Sequence, residues 1–599
     1  MKRTLTVGLV CLSMASFQAC TKRVEDERLM VFHGFETDDA KTFDPANAYD
    51  ANTLDVVSNI YETLYEYDYL AETYKLIPLL AADFPKYSDD RLTVTIRLRV
   101  DVKFQDDPVF KATNGKGRLI TAQDFIYGIK RLALPSIQSS GWWTLDGKVV
   151  GINAFHDTLV KAPKDQIKKL FESEIEGLKA LDEHTIQIKL IKPYPQLMYV
   201  LAMNFTSPIA QEAVEAYADP AGNLTDHPVG TGPFVLKTWE RNHRIVLERN
   251  PSFHPDFYPT EAAPKYKDHG FLADAGKALP FLDQIEWQIV RESSPAWLGF
   301  MQGNFDVATI PKDSFNDAIQ NRFNLKPELS TQGIQLDIET GAVFYNLTFN
   351  MKDKLLGPNK FLRQALSAAI DREKWIELFT NGRGVKQSTI LPPGIPDRPS
   401  TSRLKYDYDI KFAKELLKKS GYPEGKGLPV LNFDTRGADS ESRQQGDFFT
   451  QQFDAIGVKI NVNLNTLPAY TEKVKQGSLQ IFYGGWQMDY PDAENALQIL
   501  YGPNQSPGPN EANFDNKEFN KLYDKVAVQW PGASRAETIA KMDKIVQEEC
   551  PWAFGFYRAT YRLHRPWLKN HRPSDIINNR HKFFRVDPAG RKQFLSSKH

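Results

Sequence analysis

The chain has 599 residues and is nearly neutral, with 74 Lys and Arg against 75 Asp and Glu. This length suffices for more than one hydrophobic core. The charge balance gives no reason to expect a nucleic-acid partner or an anionic membrane surface. Two of the three cysteines, Cys11 and Cys20, lie near the N-terminus. Cys550 therefore stands alone, and we expect a small buried side chain there and no internal disulfide.

The first twenty residues are typical of an export signal. A basic pair precedes an apolar run that ends at Phe17, and this run is too short to span a membrane. We predict a signal peptide over residues 1–19 and a polar tether over residues 20–28. The small residue before Cys20 resembles a bacterial lipobox, which predicts lipidation of that cysteine. Phe17 and Gln18 depart from the usual Leu-Ala, so cleavage to a soluble protein is the alternative.

Hydrophobic patterns predict alternating strands and helices through the first half of the chain. Residues 29–35 and 92–98 alternate as half-buried strands do. Thr121 is suited to cap a helix over residues 122–132, because its side-chain oxygen accepts a hydrogen bond from a free backbone N–H. Residues 254–280 form a long loop rich in Pro, Gly, Lys and Asp. Such loops are usually functional or disordered, and this one is a candidate for partner contacts or for covering a cleft.

The second half continues the same mixture. Residues 362–370 place Leu, Ala and Ile side chains on one side of a predicted helix. Residues 409–421 predict another amphipathic helix, with basic residues in its last turn and Gly421 as its C-cap. Residues 460–464 alternate and return the chain to a sheet. The overall pattern predicts an α/β protein.

The stretch from Leu479 to Gln498, LQIFYGGWQMDYPDAENALQ, carries the candidate binding chemistry. Its apolar start predicts a buried strand that stops at Gly484-Gly485, where the absence of side chains lets another backbone approach closely. Acidic residues then crowd around a proline. Burying an ammonium group without a counter-charge is costly, so Asp489 is the candidate partner for the cationic end of a ligand. The alternative interpretation is a solvated turn beside an ordinary core aromatic, Trp486.

The segment GGWQMDYPDAENAL resembles the signature of the family-5 extracellular solute-binding proteins. It is most similar to the oligopeptide-binding proteins of bacterial ABC importers. Further segments keep the same order, and the resemblance extends from about Leu29 to the end of the chain. These segments are TFDPA at 42–46, KFQD at 103–106, GTGPF at 230–234, GNFDVA at 303–308, RQALSAAIDRE at 363–373 and RPWLK at 565–569.

This resemblance implies an α/β fold of the periplasmic-binding-protein type (type II, cluster C), with two lobes, a ligand cleft between them and an extra third domain. It places lobe I in residues 29–64, 185–291 and 558–599. The extra domain II then comprises residues 65–184, and lobe II, also called domain III, comprises residues 292–557. In such proteins the lobes close on the ligand about a hinge.

The resemblance also assigns ligand-binding positions. Asp489 matches the aspartate that pairs with the α-ammonium of a bound peptide. Gly485, Trp486 and Gln487 match the segment whose backbone lines the peptide, so main-chain hydrogen bonds are expected there. Asp39 matches an acidic position on the first-lobe strand.

The resemblance gives less definite assignments at two aromatic positions and at the positions that would bind the carboxylate end of the ligand. Trp142 and Trp143 lie where an aromatic residue approaches the ligand in the family, with core packing as the alternative interpretation. Val474 and Tyr483 stand where relatives have arginines that fix the peptide C-terminus, and Tyr483 is included among the ligand-binding candidates. Two nearby arginines are substitutes by sequence position only, namely Arg436 and Arg443.

We therefore predict an exported, periplasmic and monomeric receptor that captures extended oligopeptides and delivers them to the permease of an ABC importer. A lipid at Cys20 would hold it to the membrane, and we expect no cofactor, metal site, catalytic residue or nucleic-acid partner. The alternatives are a non-peptide solute such as an oligosaccharide, a nickel chelate or an opine in the same fold, a receptor coupled to a membrane sensor, and an exported hydrolase. The chain has no G-x-S-x-G or H-E-x-x-H motif, and the sequence alone cannot place Asp489 and Glu494 as a glycosidase pair.

Overall fold

The computed structural model describes residues 29–400 and 403–597. The predicted signal peptide, the tether and Cys20 lie outside these residues. None of the helices in the described ranges is long and apolar enough to cross a membrane. Cys550 is buried, as predicted, and burial raises the pKa of its thiol to about 12.

A four-stranded sheet is packed by residues from both ends of the described chain, and we call it the first-lobe sheet because its strands fall in the residues predicted as lobe I. Its hydrophobic core brings Phe32, near the start, together with Phe584, near the end. The first two strands are parallel and the others antiparallel. In spatial order the strands are Val31–Glu36, Gln284–Ile289, Arg244–Arg249 and Phe234–Glu240.

A seven-stranded sheet contains two long paired strands, Gln335–Phe349 and Trp552–His564. One end of this pair packs with Phe35 of the first-lobe sheet, and the other end packs in a separate core around Trp375, which we call the second-lobe core. The pairing shifts register between Thr340 and Phe344, and such irregularities bend strands. The other strands of the sheet are Val307–Thr309, Gly384–Lys386, Leu431–Asp434, Ile460–Asn463 and Ile481–Gln487.

A third sheet, of four strands, has its own hydrophobic core. Helix Ala122–Leu132 packs beside it, with Thr121 as the N-cap, as predicted. In spatial order its strands are Lys86–Tyr87, Thr93–Arg97, Thr185–Lys189 and Leu178–Asp182. Short two-stranded pairs are Tyr65–Tyr67 with Leu76–Pro78, Ile319–Gln320 with Asn324–Leu325, and Leu568–Lys569 with Arg585–Val586.

Helices cover the sheets. Asp409 caps the helix that the sequence predicts over 409–421, and Gly421 follows that helix with positive φ. That helix is Ile410–Lys419, and the remaining α-helices are Ala51–Ile60, Ile152–Lys161, Ile167–Phe171, Leu197–Val200, Gln211–Tyr217, Pro264–Lys267, Ser293–Gln302, Phe315–Ala318, Pro327–Ser330, Lys360–Ala368, Arg372–Thr380, Ser440–Asp454, Leu467–Lys475, Ala493–Leu497, Lys517–Val526, Ala533–Glu549 and Pro588–Ser597.

The strand Ile481–Gln487 differs from its prediction. The sequence predicts a strand that stops at Gly484-Gly485, which is wrong, because the strand passes through both glycines. The expected close approach of another backbone is confirmed. A Cβ atom on Gly485 would lie 2.7 Å from the carbonyl oxygen of Phe344 on the paired strand. The glycines therefore permit tight strand pairing and leave the strand end two residues before Asp489.

Residues 254–280 are packed against the first lobe. Buried Asp274 forms an ion pair with Arg585 at 2.7 Å, and Asp256 forms one with the fully buried Lys582 at 2.8 Å. Both basic partners belong to the C-terminal part of the chain. The segment therefore fastens that part to the first-lobe core, and none of its residues lines the cavity described below.

Candidate functional site

A cavity of about 850 Å³ lies between the first-lobe sheet and the end of strand Ile481–Gln487. Most of its lining comes from residues 32–55, 307–309, 487–489 and 558–584. Pockets that enclose a ligand of drug-like size commonly have volumes of about 300–1,000 Å³. The cavity therefore has room for a small solute or a short peptide.

Asp489 lines this cavity as a half-buried carboxylate. One oxygen accepts a hydrogen bond from the Tyr49 hydroxyl at 2.6 Å, and the other accepts one from Asn495 Nδ2 at 2.9 Å. Burial raises the pKa of Asp489. Both partners are neutral, and no cation of the described chain lies at ion-pair distance from this carboxylate. The site thus offers an uncompensated negative charge to an incoming cation.

Neighbouring side chains fix the position of Asp489. Asn495 Oδ1 accepts hydrogen bonds from the backbone N–H of Asp489 at 3.1 Å and from Trp486 Nε1 at 3.0 Å. Tyr490 stacks with two aromatic side chains that are distant in sequence, Trp143 and Tyr199, at ring-centroid distances of 6.2 and 5.9 Å. The turn that carries the carboxylate is therefore held before any ligand arrives.

The two other acids of this turn have structural partners. Asp492 is buried against Arg535, caps the helix Ala493–Leu497 and accepts a hydrogen bond from Gln196 Nε2 at 3.2 Å. Glu494 is buried and accepts hydrogen bonds from two tyrosine hydroxyls, one of them at 2.6 Å from Tyr490. Burial raises the pKa of Glu494. Of the three acids that the sequence groups together, Asp489 is the one that lines the cavity.

The structure separates the predicted backbone segment into two environments. Gln487 is exposed and lines the large cavity. Gly485 and Trp486 line a smaller, separate pocket with Glu511. Tyr483 packs in the second-lobe core, with its ring 5.9 Å from that of Trp375.

The other predicted residues do not line the cavity. Asp39 accepts hydrogen bonds from Trp239 Nε1 and from the backbone N–H of Asn242, both at 2.8 Å, and so holds the loop after the first strand. Trp142 stacks on His156 with ring centroids 4.6 Å apart. Trp143 contacts Tyr490, as described above. The two substitute arginines point elsewhere: Arg436 lies over the Tyr470 ring, and Arg443 is exposed and donates to the Ala438 carbonyl.

Three arginines on one wall of the cavity escape the sequence prediction. These are Arg558, Arg562 and Arg580, and we call them the arginine wall. Arg558 and Arg562 alternate with buried Tyr557 and Tyr561 along the strand Trp552–His564, so both project from one face. This alternation can be recognised in the sequence and could have pointed to these two arginines. The contribution of Arg580 is not visible, because it comes from a separate segment.

Three carboxyl groups accompany the arginine wall. Arg558 lies 3.4 Å from Asp575, and Arg580 lies 3.0 Å from Asp55. Burial and then the neighbouring Asp55 raise the pKa of the third acid, Glu36, well above its usual value. Arg562 has no carboxylate at ion-pair distance among the described residues, and its Nε atom has no hydrogen-bond partner there.

One cluster beside the cavity has the composition of a metal site. The Nδ1 atoms of His564 and His571 each lie 2.8 Å from Asp337 Oδ2, and the three ligand atoms lie within 4.8 Å of one another. The hydrogen bonds already satisfy these atoms. Burial, and then the neighbouring His564 and Arg562, lower the pKa of His571 to about 4, although Asp337 opposes this shift. The positive charge of that arginine disfavours an added cation, so the cluster is best explained as a connection between the two long strands and the C-terminal segment.

A known protein family and several named proteins resemble this chain in sequence. The family model described as "Bacterial extracellular solute-binding proteins, family 5 Middle" matches residues 75–508. The glutathione-binding protein GsiB of Shigella flexneri serotype 5b is 25% identical over 555 residues, which cover 91% of this chain and 92% of that protein. GsiB of Escherichia coli K12 has the same identity and coverage.

Solved structures with the same overall fold include peptide complexes. DppA of Helicobacter pylori, bound to the peptide STSA, has a TM-score of 0.68 at 22% identity, with coverage of 94% of this chain and 99% of that one. HbpA2 of Haemophilus parasuis has a TM-score of 0.70 at 19% identity, with coverage of 93% and 100%. AppA of Bacillus subtilis, bound to a nonapeptide, has a TM-score of 0.65 at 17% identity, with coverage of 93% and 99%. These likenesses confirm the predicted two-lobed α/β fold.

Proposed function

The chain belongs to the bacterial extracellular solute-binding proteins of family 5, and on that premise we propose that it captures short peptides in the cavity between its lobes for an ABC importer. Peptides are bound by several of its structural neighbours, among them DppA of Helicobacter pylori and AppA of Bacillus subtilis. The closing of the lobes and delivery to an inner-membrane permease complete the proposed role.

The observation that carries this proposal is the carboxylate of Asp489. It lines the cavity, is held by Tyr49 and Asn495, and has no cation of the described chain to neutralise it. A buried charge is retained at a cost unless it is paired. The α-ammonium group of a peptide supplies that pair. Gln487, next to it in the cavity, is the proposed start of the segment whose backbone contacts the peptide.

The proposal also covers the location of the protein, its oligomeric state and its lack of enzymatic activity. Family members are extracellular binding proteins rather than enzymes, and we propose that this one is periplasmic, monomeric and without enzymatic activity. Lipidation at Cys20 after removal of residues 1–19 would hold it to the membrane. The division into lobe I, the extra domain and lobe II is proposed with the boundaries predicted above.

Native mass spectrometry of the mature protein, purified from its host, tests the function. We expect co-purified masses that tandem spectra resolve into short peptides. Asp489→Asn keeps the shape of the side chain but removes its charge, so it should lose most of this material. Losing one partner of a buried charge pair costs about 2–5 kcal/mol, which corresponds to a loss of affinity of roughly 30-fold or more.

Asp165→Asn is the matched control, because Asp165 is an exposed aspartate that does not line the cavity. It should carry the same peptides as the wild type. A non-peptide solute on the wild type would overturn the peptide assignment. Peptides retained equally by Asp489→Asn would overturn the role of that carboxylate.

A further inference from the structure

An aromatic contact outside the cavity joins the third sheet to the proposed lobe II. The ring of Tyr87, on the first strand of that sheet, meets the ring of Trp530 edge to face, with centroids 5.8 Å apart and planes at 87°. The guanidinium carbon of Arg91 lies 4.5 Å from the centroid of the same Trp530 ring. Both geometries are favourable. None of these three residues lines the cavity, and we call their association the Trp530 contact.

Arg91 has no competing partner in the part of the chain that the structure describes. Its side chain is exposed, and no carboxylate of the described residues lies at ion-pair distance from it. The rings of Trp530 and Tyr87 are the groups that its guanidinium faces. Its φ is +62°, in the left-handed region that is uncommon for residues other than glycine. An arginine at this position is therefore best explained by its contact with the indole ring.

Both sides of the Trp530 contact are fixed by local structure. At the tip of the hairpin, the backbone N–H of Arg91 donates to the carbonyl of Ser88 at 2.9 Å. On the other side, Arg535 follows Trp530 by five residues and forms a buried ion pair with Asp492. Asp492 belongs to the turn that carries the cavity carboxylate. The Trp530 contact is thus linked to the cavity by one ion pair, without touching the cavity itself.

The third sheet is attached to the first lobe, so it cannot follow a movement of lobe II. Arg131, on the helix beside this sheet, forms a buried ion pair with Asp44 at 2.6 Å. The backbone N–H of Gln105 donates to the carbonyl of Gly230 at 2.8 Å. Breaking a buried ion pair is costly. A hinge movement that separates the lobes must therefore break the exposed Trp530 contact first.

We propose that Tyr87 and Arg91 act as a clasp on Trp530 that holds lobe II in the closed arrangement and so slows the escape of a bound solute. This proposal rests on the proposed function, because it requires lobes that close on a ligand. A contact made in one state of the protein shifts the equilibrium toward that state by its own free energy. Since the clasp does not touch the ligand, its effect should be the same for every bound peptide.

The test measures how fast peptides leave the full mature protein. Bound material is removed by unfolding and refolding, the protein is loaded with a synthetic mixture of di- to tetrapeptides, and native mass spectrometry identifies those that bind. The loaded protein is then mixed with an excess of isotope-labelled copies of these peptides, and the exchange is followed in time. The variants are Arg91→Gln, Trp530→Ala and the double substitution.

Arg241→Gln is the matched control, because it removes the same type of contact from within one lobe. The guanidinium carbon of Arg241 lies 3.2 Å from the centroid of the Trp239 ring, and neither residue lines the cavity. Both belong to the segment assigned to lobe I, so their contact is unaffected by closure. This variant should release peptides at the wild-type rate.

Arg91→Gln should release every bound peptide about two- to fivefold faster than the wild type, the range of one exposed cation–π contact. Trp530→Ala also loses the ring pair and should release peptides at least about fivefold faster. In the double variant the Arg91 substitution should add nothing to the effect of Trp530→Ala. This coupling separates a direct contact from a general loss of structure.

Wild-type release rates in both Arg91→Gln and Trp530→Ala would overturn the clasp and leave the proposed function intact, since peptides still bind. Arg91→Gln changes an exposed side chain, so the test does not depend on the folding of Trp530→Ala. Equal acceleration by Arg241→Gln would also overturn the clasp. Failure of the wild type to bind any peptide of the mixture would instead overturn the proposed function, and the clasp with it.

Discussion

Asp489 and Asp492 lie three residues apart in one turn, and their surroundings are opposite. Asp492 is buried against Arg535, which also contacts Asp397 at 3.0 Å. Asp489 has two neutral partners and faces the cavity. In one case the protein supplies the counter-charge, and in the other it leaves the counter-charge to the ligand. The same residue type thus serves stability at one position and, in our proposal, recognition at the other.

The largest effect is expected from Asp492→Ala. This change leaves the buried Arg535 with one carboxylate in place of two and removes a helix cap. Breaking a buried ion pair typically costs about 3–5 kcal/mol. Urea unfolding of the ligand-free protein should show a loss of this size. The control Asp165→Ala, at an exposed site, should change stability by less than about 0.5 kcal/mol. A similarly small loss for Asp492→Ala would contradict the structural role of Asp492 and remove its contrast with Asp489.

Sequence reasoning singled out Asp489, which lines the cavity, because the residues that mark it are contiguous. The strand, the two glycines and Asp489 occur within one stretch, and the resemblance assigns the aspartate a role. The close backbone approach at Gly485 was predictable from its missing side chain. The end of the strand was not, because pairing with Gln335–Phe349 continues through both glycines.

The arginine wall was missed for a physical reason. Arg558 and Arg562 alternate with aromatic residues, which the sequence shows, but the charges around Arg562 include Glu36 and Asp55 from the other end of the chain. Only the fold brings these charges to one wall. In the same way, the sequence offers no sign that Tyr49 contacts Asp489 across 440 positions.

The second prediction concerns the pH dependence of peptide binding. Burial raises the pKa of Asp489 in the ligand-free protein, and an ammonium group needs the ionised form. Affinity should therefore be constant above that raised pKa and fall by up to about tenfold per pH unit below it. Calorimetry of one peptide across neutral and acidic pH measures this slope. Asp489→Asn should lack this pH dependence. Any contribution from the titration of Glu36 in the same cavity is present in both proteins, so equal slopes in the two would contradict the assignment.

Tyr49→Phe should have a smaller effect, on the pH dependence of peptide binding. The hydroxyl donates to Asp489 Oδ1 at 2.6 Å and favours the ionised carboxylate. Its removal should raise the pKa of Asp489 further, so the acidic limb of the binding profile moves to higher pH. Well above that pKa the affinity should change by less than about tenfold, the range of one hydrogen bond. Tyr408→Phe, at an exposed position, is the control and should leave the profile unchanged.

The smallest predicted effect is the change in stability caused by Asp489→Asn, and its sign distinguishes the role of Asp489 from that of Asp492. Because burial raises the pKa of Asp489, the folded state binds its proton more tightly than the unfolded state, and the ionised side chain opposes folding at neutral pH. Asp489→Asn should therefore raise the free energy of unfolding of the ligand-free protein slightly, by about 1 kcal/mol or less. This gain should vanish as the pH falls below the raised pKa, where Asp489 is protonated in the wild type. A loss of several kcal/mol would instead make Asp489 a structural carboxylate like Asp492, and the two halves of the turn would no longer have different roles.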